Sequence, residues 1–335
     1  MTKPVTSPRA LLVSCAAAVV LLGASGRAQQ NVDDVQIQSY HVQGNIWMLT
    51  GGPVNAAVSI GADGVLVVDT MLEPLADKLV AEIKRLAPDK PIRYIINTHY
   101  HPDHTGGNAK VTQAGQSIIA GNFAAQVGQD AASQATLVAH ENTQVRMGQL
   151  KPPPPFLAMP TNTFFTESKD IFFNGEAVQI FHQPSAHTDG DVMVFFRKSD
   201  VLVTGDRYVN NGFPIVQPGQ GGSFQGIIDA LNRIIDITVP KEKQEAGTYV
   251  IPGHGRVADE ADVVEYRDMN TIIRDRFQDA IARAMTLEQV KAARLVRDYE
   301  ARYGASSGFW TTDNFVEAVY RSLGQPATKT AIQNH

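Results

Sequence analysis

Four side chains able to ligate a metal fall within six residues of one another, and that density is the strongest constraint in this sequence. They lie in the run Thr98-His99-Tyr100-His101-Pro102-Asp103-His104-Thr105-Gly106-Gly107, directly after the apolar segment Ile92 to Asn97. That segment reads as a short, buried strand. Pro102 disfavours a regular helix through the run, so a compact loop at a strand end is expected. Such a loop can aim its side chains at more than one point. Imidazoles at i and i+2 suit one ion, and the Asp-His pair behind them can reach a second. Zinc accepts imidazole nitrogen and carboxylate oxygen at about 2.0–2.2 Å, which fits this donor set.

Four further candidates sit where an apolar strand hands over to a loop, the usual place for a site on a layered α/β scaffold. Asp69 ends Val67-Val68-Asp69-Thr70. His187 lies in Ser185-Ala186-His187-Thr188-Asp189-Gly190-Asp191. Asp206 lies in Thr204-Gly205-Asp206-Arg207, and His254 in Ile251-Pro252-Gly253-His254-Gly255. Asp189 and Asp191 are metal-ligand types too. His41, His140, His182 and His335 are read as structural or exposed.

The N-terminus reads as an address. Lys3 and Arg9 precede an apolar run from Ala10 to Leu22, followed by Gly23-Ala24-Ser25-Gly26 and Arg27-Ala28. This is the layout of a secretory signal peptide, with cleavage expected after Ala28. The apolar run is shorter than the roughly 20 residues of a spanning helix. Residues 1–28 are therefore expected to be removed, leaving a periplasmic or secreted chain with no stable membrane insertion. A lipoprotein box at Leu12-Val13-Ser14-Cys15 is disfavoured, because most of the apolar region follows the cysteine. Cys15 is the only cysteine, so the mature chain has neither disulfides nor a thiolate nucleophile, and a metal site must use His and carboxylates.

The net charge is −5, and residues 1–28 hold three bases and no acid, so the remainder is more acidic still. That balance argues against nucleic acid as a partner and leaves a small molecule. Hydrophobic residues make up 43 % of the chain, enough for a sizeable core.

Along the mature chain, strand and helix patterns alternate. His41 to Thr50, Asn55 to Ile60, Val65 to Asp69 and Ser117 to Ala120 read as strands, with Asn122 capping a following helix. Leu75, Leu79, Ile83 and Leu86 fall at helical spacing behind Pro74. Lys151 to Pro160, with five prolines, is a loop. Ile171 to Phe181 reads as a hairpin around Asn174-Gly175 and Val192 to Thr204 as a second. Gly212 to Ser223 is a long Gly- and Pro-rich loop, Phe224 to Asp236 a helix and Tyr249 to Pro252 a last strand. Residues 259–324 lack proline and read as helix, with Phe315, Val319 and Leu323 on one face. The divisions expected are 29–258 for a catalytic domain and 259–335 for a helical extension. The element order is that of a layered α/β sandwich.

The pattern resembles the metallo-β-lactamase-fold hydrolases. Their His-x-His-x-Asp-His signature is matched by His99, His101, Asp103 and His104, and their later ligands by His187, Asp206 and His254 in order. The resemblance covers roughly residues 40–260 and implies a four-layer αββα sandwich with a two-metal site at one edge. It implies that His99, His101 and His187 hold a first zinc, that Asp103, His104 and His254 hold a second, and that Asp206 bridges them. Iron or manganese can replace zinc in such sites. Asp69 matches a position that orients the histidine-bearing loop.

A water shared by two zinc ions is a hydroxide near neutral pH, with Asp103 orienting it as the catalytic carboxylate. An aspartate in the bridging position is similar to the glyoxalase II-type thioesterases, lactonases and phosphoesterases of this fold, whereas zinc β-lactamases usually place Cys or Ser there. The expected activity is cleavage of a small ester, lactone, thioester or amide. Arg207 beside Asp206, and Phe213 and Ile215 in the following loop, are candidate substrate contacts. A mononuclear iron enzyme similar to the persulfide dioxygenases, and a non-catalytic metal-binding module, are the alternatives.

Overall fold

The computed structural model describes residues 34–117 and 133–324. The expected signal peptide, all but Ser117 of the strand expected at Ser117 to Ala120, the cap expected at Asn122, and His335 lie outside them. Twelve strands form two sheets among the described residues. The first runs β1 (Gln38–Gln43), β2 (Ile46–Gly51), β3 (Val54–Gly61), β4 (Gly64–Val68), β5 (Ile92–Ile96), β6 (Thr136–His140) and β7 (Asn162–Phe164). It is antiparallel from β1 to β4 and parallel from β4 to β7. The second contains β8 (Ser168–Phe173), β9 (Glu176–His182), β10 (Val192–Phe196), β11 (Val201–Gly205) and β12 (Tyr249–Pro252). Only its β11–β12 pair is parallel.

Successive side chains on a strand point to opposite faces, and both faces of the inner strands are apolar. Leu66 and Val68 of β4 and Ile96 of β5 face the core between the sheets, where they meet Val192, Val194 and Phe196 of β10. Val65, Val67 and Ile95 face the other way, onto Leu79 and Ile83 of helix α1 (Ala76–Leu86). Met193, Leu202 and Val250 form the outer face of the second sheet. They pack on Phe224, Ile227 and Leu231 of a helix at Phe224–Ile237 and on Tyr266, Ile273 and Phe277 of one at Glu260–Ala282. Three apolar layers thus separate four structural layers, helix, sheet, sheet, helix. Burial on both faces is why these strands read as unbroken apolar runs rather than alternating ones.

The remaining helices, in chain order, are α2 (Pro102–Thr105), α3 (Asn108–Gln113), α4 (Glu141–Gly148), α5 and α6 at the ranges just given, α7 (Leu287–Ala293), α8 (Glu300–Tyr303) and α9 (Thr312–Gly324). Phe315 and Val319 of α9 enter the same outer core as α5 and α6. The C-terminal helices are therefore packed onto the second sheet.

Three local expectations are corrected. His41 to Thr50 is not one strand but the hairpin β1–β2, turning at Gly44-Asn45, where Gly44 takes φ +54°. That conformation suits glycine, and a Cβ there would lie 2.5 Å from Ser199 Oγ. The segment after His101 is not a plain loop. It is the one-turn helix α2, with Pro102 at its first position, where a missing N–H costs nothing. The proline-rich stretch contains a 3-10 turn at Phe156–Ala158 before β7.

Candidate metal centre

The carboxyl ends of parallel strands β4 and β5 in one sheet, and β11 and β12 in the other, converge at one edge of the sandwich. Ligands in open α/β sheets bind at such ends. The sheets are tied together there. Asn55 N donates to Gly253 O at 2.9 Å, its Nδ2 donates to Pro252 O at 3.0 Å and Gly255 O at 2.9 Å, and Val192 N donates to Thr98 O at 2.8 Å.

The seven side chains from four separate stretches meet at this edge. His99, His101, His187 and Asp206 form one group able to hold a metal ion, and Asp103, His104 and His254 form another. Asp206 stands between them. Its Oδ2 lies 3.9 Å from His99 Nε2 and 3.7 Å from His187 Nε2, whereas its Oδ1 lies 3.2 Å from His104 Nε2 and 3.3 Å from His254 Nε2. Asp103 Oδ2 is 3.3 Å from His254 Nε2 and 3.6 Å from His104 Nε2.

Each histidine is aimed by an acceptor on its far side. His187 Nδ1 donates to Ile215 O at 2.6 Å, His254 Nδ1 to Pro53 O at 2.8 Å and His104 Nδ1 to Asp69 Oδ2 at 2.8 Å. Thr98 Oγ1 donates to Asp69 Oδ2 at 2.7 Å, so its lone pair receives His99 Nδ1 at 3.1 Å. His101 is reversed. Its Nε2 meets Gln217 Oε1 at 2.9 Å, leaving Nδ1 towards the cluster, 2.9 Å from both His99 Nε2 and His187 Nε2. An acceptor on one ring nitrogen places the proton there and turns the other lone pair inward.

The donor set passes a direct test of fit. His104 Nε2 and Asp206 Oδ1 are buried and form no hydrogen bond among the described residues, although they lie 3.2 Å apart. Buried polar atoms left this way are costly, and a cation between them satisfies both. The electrostatics divide the site. Burial and neighbouring imidazoles hold His99 well below the ordinary histidine range, and burial and His187 lower His101 to about 4. Burial opposes charge on His104 and His254 as well. There the carboxylates win: Asp206, Asp69 and Asp103 lift His104, and Asp206 and Asp103 lift His254 to about 10. Asp206 is held well below the carboxylate range, burial being outweighed by His254 and His104.

Two glycines make room for this packing. A Cβ on Gly253 would sit 2.1 Å from Asp206 Oδ1, and one on Gly255, at φ +108°, 1.9 Å from Asn210 Oδ1. The Pro-Gly-His254-Gly spelling thus reflects close approach on both sides of the histidine.

The other candidates are placed as follows. Asp69 is buried and accepts from Thr98 N, Thr98 Oγ1 and His104 Nδ1. Asp191 accepts from His187 N at 2.7 Å and Thr188 N at 2.9 Å within its own loop, and Asp189 pairs with Arg146 of α4 at 2.6 Å, so both carboxylates are engaged away from the cluster. Arg207 is not at the mouth of the site, contrary to its candidacy as a substrate contact. It is 1 % exposed, and its guanidinium points inward to Val192 O and lies 4.0 Å from Asp191. Phe213 and Ile215 line a cleft of about 300 Å³ together with His254 and residues of the C-terminal segment, Phe309 and Trp310 among them. Gln217 was not foreseen, since a lone glutamine in a Gly- and Pro-rich loop carries no spacing signal.

The family model of the metallo-beta-lactamase superfamily matches residues 49–254. The chain belongs to this superfamily. The matched stretch holds every side chain of the cluster. Among curated proteins, the chain is similar to the 2,4-dinitroanisole O-demethylase subunit alpha of Nocardioides sp. (strain JS1661), 26 % identical over 174 residues, covering 50 % of this chain and 47 % of that protein. The match thus spans about half the length of that relative. Two solved structures share the fold. A metallo-beta-lactamase from Pontibacter korlensis superposes with a TM-score of 0.52 at 16 % identity, covering 70 % of this chain and 99 % of that one. A double mutant of the sec-alkyl sulfatase PisA1 superposes with a TM-score of 0.61 at 15 % identity, covering 91 % of this chain and 52 % of that one. No helix among the described residues is long and apolar enough to cross a membrane.

Proposed function

We propose that this metallo-beta-lactamase superfamily member is a two-zinc hydrolase of a small ester, lactone, thioester or amide, acting after export and removal of residues 1–28. The observation that carries the reading is Asp206, whose two oxygens face two different histidine sets. His99, His101 and His187 would hold one ion, and Asp103, His104 and His254 the other. Two zinc ions held this way would supply a hydroxide at neutral pH and a Lewis acid for the electrophile.

The chain's own residues do the rest. Asp69 and Gln217 fix ring orientation from behind. Asp103 has 29 % of its side chain exposed, against 3 % for Asp206. It is therefore the carboxylate placed to accept a hydrogen bond from the nucleophile and orient it. The same carboxylate is held below its ordinary range because His104 and His254 outweigh the opposing effect of burial.

The test is a panel of β-lactam, lactone, thioester, carboxylic ester and phosphodiester substrates, extended to sulfate esters and aryl methyl ethers because of the structural and sequence relatives. It is run on zinc-loaded and chelated protein. Hydrolysis of a carbonyl substrate that disappears on chelation and falls in Asp103→Ala supports the reading. Turnover requiring oxygen and one iron per chain would replace it with the dioxygenase alternative. Hydrolysis unchanged by Asp103→Ala would overturn the role given to that carboxylate.

A further inference from the structure

The cleft beside His254 has a composition unlike the metal centre it adjoins. Four rings contribute to its lining, Phe213, Tyr303, Phe309 and Trp310, with Ile215 and uncharged polar side chains such as Asn211 beside them, and no Lys, Arg, Asp or Glu. The cleft therefore offers dispersion and apolar burial at one end and the ligand cluster at the other.

Its two walls come from distant parts of the chain and are fixed to each other. Phe213 stacks on Phe315 of α9, with ring centres 4.4 Å apart and planes 5° apart, and leans on Tyr303 at 6.1 Å. Phe213 N donates to Tyr303 O at 3.1 Å, and Tyr266 Oη donates to Gly212 O at 2.9 Å. The Ile215 wall is coupled to the centre itself, because Ile215 O receives His187 Nδ1. On the opposite side Phe309 is 79 % exposed. A large ring left in water at the rim of an apolar cleft has burial to gain from a ligand.

We infer that this cleft is the specificity pocket of the enzyme, and that it takes an uncharged aromatic arm of the substrate while the bond to be broken lies at the His254 end. This inference rests on the hydrolase reading above and deepens it. A carboxylate or ammonium on the arm would be desolvated against rings with no charged partner, at a cost the cleft has nothing to offset. A flat neutral ring instead meets the exposed Phe309 and the other aromatic side chains of the lining, and such contacts add to simple burial. The volume is at the small end of ligand pockets, which suits a single ring with modest substituents.

The experiment separates binding from turnover. Benzyl alcohol, a neutral aryl probe with no hydrolysable bond, is titrated into the metal-loaded protein by NMR, alongside kinetics on phenyl acetate and ethyl acetate. Benzyl alcohol is expected to bind saturably. Phe309→Ala, at an exposed position that cannot upset folding, is expected to weaken it about 3- to 10-fold. Ser307→Asp, which sets a carboxylate at an exposed position of the lining, is expected to weaken it as well, at unchanged metal content. In both variants kcat/KM should fall for phenyl acetate while ethyl acetate, which has no ring, is turned over as by the wild type. Failure of benzyl alcohol to bind, or equal affinity in wild type and both variants, would overturn the assignment of the cleft. So would ester hydrolysis that loses phenyl and ethyl acetate in equal proportion. If neither ester is hydrolysed but benzyl alcohol binds and responds to both substitutions, the cleft stands and the hydrolase reading falls.

Discussion

Asp69 Oδ2 lies 2.8 Å from His104 Nδ1, and the same oxygen receives Thr98 Oγ1, whose lone pair receives His99 Nδ1. One buried carboxylate therefore orients a histidine of each ligand group, one directly and one through a hydroxyl. It also sits at φ 63°, a left-handed conformation that Asp tolerates better than most residues. Asp69→Ala should leave all seven cluster side chains in the sequence yet lower metal affinity about 10- to 100-fold. A chelator-competition titration of the variant against wild type checks this, and unchanged affinity would remove Asp69 from the site's support.

Gly253 packs against the bridging carboxylate, and no side chain fits between them. The added methyl of Gly253→Ala would press on Asp206 Oδ1 and on the backbone of Gly205, whose carbonyl carbon would lie 2.9 Å away. The backbone cannot yield easily, since Asn55 N holds Gly253 O and Gly253 N donates to Gly205 O. Overpacking of this kind costs about 1–3 kcal/mol. The variant should melt lower than wild type and carry less metal by elemental analysis, whereas Gly219→Ala, with open space at its Cβ, should change neither.

Much of the architecture was legible because β4, β5, β10 and β11 are buried on both faces, which writes them as apolar runs. The cluster was legible because six residues contain four of its seven members and the others close strands. What escaped has physical causes. Gly44-Asn45 is a two-residue turn between the polar, half-exposed β1 and the apolar β2, so β1 carries no burial pattern of its own and the two read as one strand. β7 is only three residues long and is defined by its pairing with β6. Arg207 follows the bridging aspartate in sequence, but neighbouring residues leaving a strand point to opposite sides, which sends it into the interior. Gln217 acts through a tertiary contact with His101, and nothing local marks it.

Metal binding and folding should be linked. The cluster draws on β4–β5, the β9–β10 loop, β11 and β12, so an occupied centre cross-links both sheets, and the unfolded chain cannot reproduce it. A ligand bound only by the native state stabilises it by about 2.7 kcal/mol at one hundred times its dissociation constant. Chelation should therefore lower the melting temperature, and zinc should restore it with a dependence on its concentration. A melting temperature indifferent to chelation would contradict a filled centre in the purified protein.

A second pair of histidines should govern acid stability. His140 and His182 stack at 3.6 Å with planes 5° apart, and His140 Nδ1 accepts from Asn142 N at 3.3 Å, capping α4. Burial, and then the neighbouring His182, lower His140 to about 4 from an ordinary 6.5. The folded chain thus binds fewer protons than the unfolded chain between these values. Unfolding takes up a proton in that window, so the stability present above pH 6.5 is lost as the pH falls through it towards 4. At pH 5 the loss from His140 is about 2 kcal/mol. His140→Asn keeps a capping acceptor and removes the titrating ring. In urea unfolding at pH 7 and pH 5, its drop in stability should be smaller than that of wild type by about that amount. The metal centre titrates alike in both proteins, so the difference isolates the stacked pair, and equal drops would show that His140 is not the group responsible.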